Sequence, residues 1–299
     1  MRRSGILLVD KAGAMTSHDV VSRVRKHAGT RRVGHAGTLD PMATGLLVLG
    51  LNSATRLLTF LVGLDKEYLA TIRLGGSTPT DDADSPVDRF ADPKRIAELT
   101  EDEVRESIRP LTGTISQIPS AVSAVKVDGR RAYERVRAGE HVELAARTVT
   151  ITRFEVLAMR QDEFFDLDVR IACSTGTYVR ALARDMGSAL GVGGHLTALR
   201  RTKVGPFDVA DANTLEDVDV ERDLIPPARI ARALFPVLDL SERQAVDLGH
   251  GKRLTVDRTV EGDPAGPIAA IAPDGRLVGL LAISDGVAAP IINFPAESE

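Results

Sequence analysis

A single carboxylate, Asp40, stands in the stretch GHAGTLDPMATGLLVLG (residues 34–50), five residues after His35 and directly before Pro41. Proline biases the residue before it towards extended geometry and brings no amide hydrogen of its own. Gly34, Gly37 and Gly45 let the backbone of this segment come close to another molecule. A carboxylate presented on such a loop could act on a bound ligand. The same residues also make an ordinary Asp-Pro turn, or an N-cap followed by a first-turn proline. His35 reads equally as a satisfied structural histidine and Tyr68 as a core tyrosine, so the loop by itself leaves both accounts open.

The elements that must hold this loop follow from the spacing of apolar residues. Ile6–Val9 reads as a short buried strand. TSHDVVSRVRKHAG reads as a helix with Thr16 or Ser17 as N-cap, Val20, Val21 and Val24 on one face, and Gly29 as its stop. Leu46–Leu49 is a second buried strand. KEYLATIRLGG alternates, so Tyr68, Ala70, Ile72 and Leu74 share one face of a half-buried strand. Thr100 and Glu103 form a capping box for a helix carrying Val104, Ile108 and Leu111. Asp128-Gly129 marks a hairpin. ARTVTITRFEVLAMR pairs with DEFFDLDVRIAC, in which Phe165, Leu167, Val169, Ile171 and Cys173 face inward. TGTYVRALARDMGSALG opens a helix that Gly191 ends. These elements predict a mixed, largely antiparallel α+β sheet. Three prolines in PPARIARALFP (226–236) mark a hinge, and the short apolar runs beyond it predict a small all-β barrel. The expected domains are 1–230 and 231–299.

The 299 residues are 43% hydrophobic and 27% charged, the balance of a folded globular protein. Cys173 is the one cysteine, so no intramolecular disulfide forms, and no Cys/His cluster has zinc spacing. The N-terminal apolar run is too short for a signal peptide, and nothing approaches the ~20 apolar residues of a membrane span. A cytoplasmic protein is expected. The net charge of −4 conceals segregation: residues 1–56 hold nine Lys/Arg against three Asp/Glu, whereas 81–92 and 211–223 are acidic. Segregated charge can build a basic groove for a polyanion on an acidic protein, and it also describes solvated faces of alternating sign.

Three segments taken together resemble the TruB family of tRNA pseudouridine synthases: GILLVDKAGAMTSHDVV, the Asp40 loop, and CSTGTYVRALARDMG. DKEYLATIRLG and QIPSAVSAVKVDGRRAYERVRAG match the family pattern as well, and the resemblance runs from about residue 5 to residue 205. Ala12 stands where many members have proline, and Arg56 where many have lysine. The C-terminal barrel resembles the family's PUA RNA-binding domain loosely. The resemblance implies a pseudouridine synthase fold and isomerisation of the uridine at position 55 in the T loop of tRNA. The base is detached from C1′ at N1, turned and rejoined through C5. Such an isomerisation needs no cofactor and no metal. A monomer acting on the T arm and elbow, with assistance to tRNA folding, completes the expectation.

Carried over residue by residue, the resemblance makes Asp40 the catalytic aspartate and Arg180 the arginine that pairs with it. Such a partner is physically required, because a desolvated carboxylate otherwise takes up a proton. His35 matches the histidine that fills the space left by the flipped base. Tyr68 matches the aromatic that stacks on that base, and its hydroxyl could assist removal of the C5 proton. Tyr178 and Leu199 match the remaining pocket residues. Lys11, Arg31, Arg32, Arg56, Arg200 and Arg201 are expected to contact phosphate. Two rival classes stay in view. A non-catalytic tRNA chaperone would use the same groove without needing Asp40. A nucleotide-binding enzyme is suggested by strand, turn and helix at CSTGTYVRALARDMG, but the chain has no GxxxxGK[ST] and no GxGxxG after a strand.

Overall fold

In the computed structural model the strand β1 (Gly5–Lys11) leads into the helix α1 (Ser17–His27). The residues described are 3–120, 126–127, 130–131, 144–256 and 266–294. Thr16 is the N-cap of α1, in a capping box with Asp19, and Gly29 follows the helix with a left-handed φ of 57°. A short strand, β2 (Val33–His35), and the Asp40 loop then lead into β3 (Thr44–Leu51). β1 and β3 pair antiparallel from Gly5↔Leu51 at one end to Lys11↔Gly45 at the other. Both strands are covered on both faces, which is why they read as unbroken apolar runs instead of alternating. Leu7, Val9, Leu47 and Leu49 belong to one apolar cluster with α1, and Ile6, Leu8, Leu46 and Val48 to a second.

The helix α2 (Leu58–Val62) precedes β4 (Lys66–Leu74), whose alternate residues from Lys66 to Leu74 are buried. The helix α3 (Glu101–Ile108) has the expected capping box, and Leu111 falls in the 3-10 turn after it. The strands β5 (Gly113–Gln117), β6 (Arg147–Gln161) and β7 (Phe165–Cys173) come next, followed by α4 (Val179–Ala189) and β8 (Gly194–Val204). With β9 (Asn213–Thr214) they form a ten-stranded sheet whose main path is β9–β1–β3–β8–β4–β7–β6–β5, with β2 on β3 and the two-residue strand Phe207–Asp208 on β8. Its pairings are antiparallel except β1 with β9 and β3 with β8. The parallel contact sets Thr44 beside Arg200 and Gly45 beside Arg201, so the end of the Asp40 loop lies against the middle of the sheet. The turn expected at Asp128-Gly129 lies outside the described residues, although Lys126–Val127 and Arg130–Arg131 on either side of it pair antiparallel.

The helix α5 (Pro227–Leu234) is the element read as a hinge, and the boundary expected at 230/231 falls inside it. Beyond it come β10 (Val237–Asp239), β11 (Leu254–Thr255), β12 (Ile268–Ile271), β13 (Leu277–Ser284) and β14 (Val287–Asn293). They form a curled sheet in the order β10–β12–β13–β14–β11, a half-barrel with two edges. On one face of this sheet Ala269, Ile271, Leu277 and Leu280 join the cluster of Ile6, Leu8, Leu46 and Val48, together with Ala228, Ile230 and Ala231 of α5. One apolar core therefore spans both sheets.

Candidate active site

The Asp40 loop is held from three sides. Ser17, buried at the start of α1, accepts the Leu39 amide on Oγ at 2.8 Å and donates to the Leu39 carbonyl at 3.1 Å. Lys11 is fully buried at the end of β1, where its ammonium donates to the carbonyls of Ala12, Met15 and Pro41. The third side is β8. Gly45, at φ +99°, packs so close that a Cβ there would stand 2.3 Å from the Arg201 carbonyl oxygen. Only glycine permits that approach. The loop that carries the carboxylate is thus fixed to β1, α1 and β8 at once.

Asp40 meets Arg180, the second residue of α4, in a two-pronged pair: Nε to Oδ2 at 3.0 Å and Nη2 to Oδ1 at 3.2 Å. The fork geometry fixes the carboxylate plane as well as its charge. Arg180 is itself anchored from behind. Its Nη1 donates to the Thr80 carbonyl at 2.7 Å and lies 3.3 Å from Oδ2 of Asp82, a carboxylate that is 1% exposed. Thr80 Oγ1 donates to the other Asp82 oxygen. Burial pushes the Asp40 carboxyl up, Arg180 pulls it down, Asp82 and Asp84 push it up, and Lys11 pulls it down; the net direction is upward. Gln117 fixes the start of α4, accepting the Tyr178 amide at 2.9 Å and donating to its carbonyl at 3.1 Å.

These groups open onto a cleft of about 240 Å³ whose lining includes Asp40, Arg180, Tyr68, Tyr178, Leu199 and Arg201. Tyr68 and Arg201 are directly opposite one another on β4 and β8. Burial raises the Tyr68 phenol pKa above its ordinary value, so the hydroxyl keeps its proton at neutral pH. Among the described residues no group of three or more His, Cys, Asp or Glu is placed to hold a metal ion, and no helix is long and apolar enough to cross a membrane.

Residues 25–179 match the "TruB family pseudouridylate synthase (N terminal domain)". Residues 180–236 match the "tRNA pseudouridylate synthase B C-terminal domain", and 235–295 the "tRNA Pseudouridine synthase II, C terminal". The tRNA pseudouridine synthase B of Leifsonia xyli is 57% identical over 98% of this chain and 97% of its own length. The chain belongs to the TruB family of pseudouridylate synthases. A second family member, from Arthrobacter, is 54% identical over 99% of this chain and 98% of its own. A chain from an H/ACA RNP bound to a substrate RNA containing 2′-deoxyuridine shares the fold, with a TM-score of 0.72 at 23% identity over 98% of this chain and 86% of that one.

Of the residues that the TruB resemblance singles out, the cleft gathers Asp40, Tyr68, Arg180, Tyr178, Leu199 and Arg201. His35 stands on β2 opposite Leu49, just outside the lining. Arg31, Arg32 and Arg56 are exposed, and Arg56 donates to the Asn293 carbonyl of β14. Two expected phosphate contacts are corrected. Lys11 has no exposed surface and its ammonium faces three carbonyls. Arg201, 1% exposed, donates to the carbonyls of Leu46, Gly37 and Thr38, so neither reaches a phosphate on the surface. Arg200 pairs with Asp10 at 2.7 Å and also donates to Thr44, which leaves it half-committed within the protein. The sequence reading missed Ser17, Gln117, Asp82 and Lys66. Lys66 had a visible signal, because it continues the alternation that places Tyr68 on the buried face of β4.

Proposed function

We propose that this chain isomerises the uridine at position 55 in the T loop of tRNA to pseudouridine, as a cytoplasmic monomer that grips the T arm and elbow. The observation that carries the reading is the Asp40–Arg180 fork opening onto a cleft shared with Tyr68. The names of the two bacterial relatives support tRNA as the substrate. The uridine leaves its stack and enters the cleft, where Tyr68 stacks on it and His35 fills the space it vacates. Arg180 keeps Asp40 ionised, and the carboxylate acts on the nucleotide while the base is detached and turned. The Tyr68 hydroxyl, entering as the neutral phenol, assists removal of the C5 proton. Tyr178 and Leu199 bound the base, and Arg31, Arg32 and Arg56 meet phosphates. Residues 1–230 carry the chemistry and 231–299 add RNA contact.

The test is Asp40→Asn with a T-arm transcript tritiated at uridine C5. An amide is neither nucleophile nor base, so label release should vanish while tRNA affinity and melting temperature stay close to those of the parent protein. Turnover near the parent rate would overturn the assignment.

A further inference from the structure

Resting on the proposed function, we infer that Lys66 and Arg201 form a cationic floor of the cleft that stabilises the negative charge of the detached uracil. Every route that breaks the N1–C1′ bond heterolytically sends the bonding pair to the base. Uracil is then an anion spread over N1, O2 and O4 until C5 bonds to C1′. The proton lost from C5 and the proton gained at N1 balance, so the product is an isomer of the substrate. A site that performs this step must supply positive charge where the base lies, not only at the carboxylate.

The two cations meet that requirement. Lys66 and Arg201 are 8% and 1% exposed, and both line the cleft beside Tyr68. The Lys66 ammonium donates to the carbonyls of Val62 at 2.7 Å and Leu64 at 2.5 Å. Arg201 donates to the carbonyls of Leu46, Gly37 and Thr38 and also hydrogen-bonds the Tyr68 hydroxyl, which is no counter-ion. Among the described residues neither has a carboxylate within ion-pair distance, in contrast to Arg180, which has two. Burying two like charges without a counter-ion is costly, and carbonyl dipoles offset only part of it. Such a cost persists where an anion arrives during function. Gly37 keeps the space above them open, because a Cβ there would stand 3.4 Å from Nη1 of Arg201 and 4.0 Å from Cε of Lys66.

The charge on Lys66 is correspondingly easy to lose. Burial, with Arg201 adding to it, brings its pKa down to about 8, against weaker opposing pulls from Cys173 and Asp65. The floor therefore loses half of its charge as pH rises through that value. Lys66→Arg keeps a cation at every working pH, and Lys66→Gln keeps a hydrogen-bond donor without the charge.

The experiment measures single-turnover conversion at saturating RNA for the parent protein and both variants across pH. It uses T-arm transcripts carrying either uridine or 5-fluorouridine at the target and reads the loss of that nucleoside, because the fluorinated base has no C5 proton to give up and stops once C5 has bonded to C1′. Lys66→Gln should lose roughly a hundredfold in rate on uridine, the scale of removing one preorganised donor to developing charge, with RNA affinity within about twofold. Fluorine stabilises the uracil anion, so the deficit should shrink several-fold on the fluorinated RNA. The parent rate should fall as pH rises through about 8, and Lys66→Arg should remove that fall. Full activity of Lys66→Gln, an equal deficit on both RNAs, or the same alkaline fall in Lys66→Arg overturns the inference. The comparison of parent and Lys66→Arg stands even where Lys66→Gln does not fold. A parent protein that converts neither RNA would instead overturn the proposed function.

Discussion

At the Lys11/Gly45 end of the β1–β3 ladder a cleft of about 240 Å³ is surrounded by charges fixed in place, whereas at the Gly5/Leu51 end a larger cleft of about 560 Å³ is not. That second cleft lies where Arg3 and Ser4 meet α5 and the turn before β13. Its lining includes Arg3 and Glu221 as well as Arg276 and Asp274, and the last two satisfy one another at 3.2 Å. Beneath it is the apolar core shared by the two sheets. Preorganised charge, not volume, separates the end proposed as catalytic from the other. Changes at one end should therefore alter rate with little effect on melting, and changes at the other the reverse.

The harshest break of this comparison is truncation after residue 230. The sequence alone treats 1–230 as a domain of its own, but the cut removes Ile271, Leu277, Leu280 and Phe294 from the apolar cluster that also holds Ile6, Leu8, Leu46 and Val48. Fully burying each such side chain is worth roughly 1.5–3 kcal/mol, a sum comparable to the whole stability of a typical domain. The truncated chain should lose its cooperative melt, which calorimetry or circular dichroism would register. A milder cut at the same end, Leu280→Ala, should lower stability by about 2–5 kcal/mol and leave turnover at saturating tRNA within about twofold.

At the catalytic end the comparison sharpens through pH. On the proposed function Asp40 acts as a carboxylate, so activity should rise with pH through a carboxyl pKa held above its ordinary value. Arg180 lowers that pKa and Asp82 raises it. Arg180→Lys, which loses the fork, should move the acidic limb to higher pH and cut turnover by roughly a hundredfold. Asp82→Asn should move the limb to lower pH. Parallel shifts in the two variants would contradict the Asp40–Arg180–Asp82 arrangement. The smallest expected effect is that of Arg31→Gln, which should lower the salt slope of tRNA affinity by close to one unit without touching turnover at saturation.

The strands and helices were legible because period and caps carry them: Thr16 with Asp19, Thr100 with Glu103, and the alternation of β4 and β7. The Asp40–Arg180 pair was legible through family resemblance, not through its spacing of 140 residues. Asp82 was hidden inside an acidic run that reads as solvated surface, and only its position behind Arg180 marks it out. Lys11 and Arg201 were misread because a cation in sequence gives no sign that carbonyls will surround it. The shared core was hidden for a different reason. Ile6 and Leu8 alternate with Leu7 and Val9 in a run with no period, and their partners lie more than two hundred residues away.

The parallel contact of Thr44 with Arg200, across 156 residues of chain, also fixes when the protein becomes able to act. A ribosome adding about 5–20 residues per second delivers Asp40 roughly ten to thirty seconds before Arg201. For most of that interval, until residue 180 is added, the nascent chain carries the carboxylate without the arginine that pairs with it. On the proposed function, a chain that stops before α4 holds Asp40 without its fork and should convert no uridine.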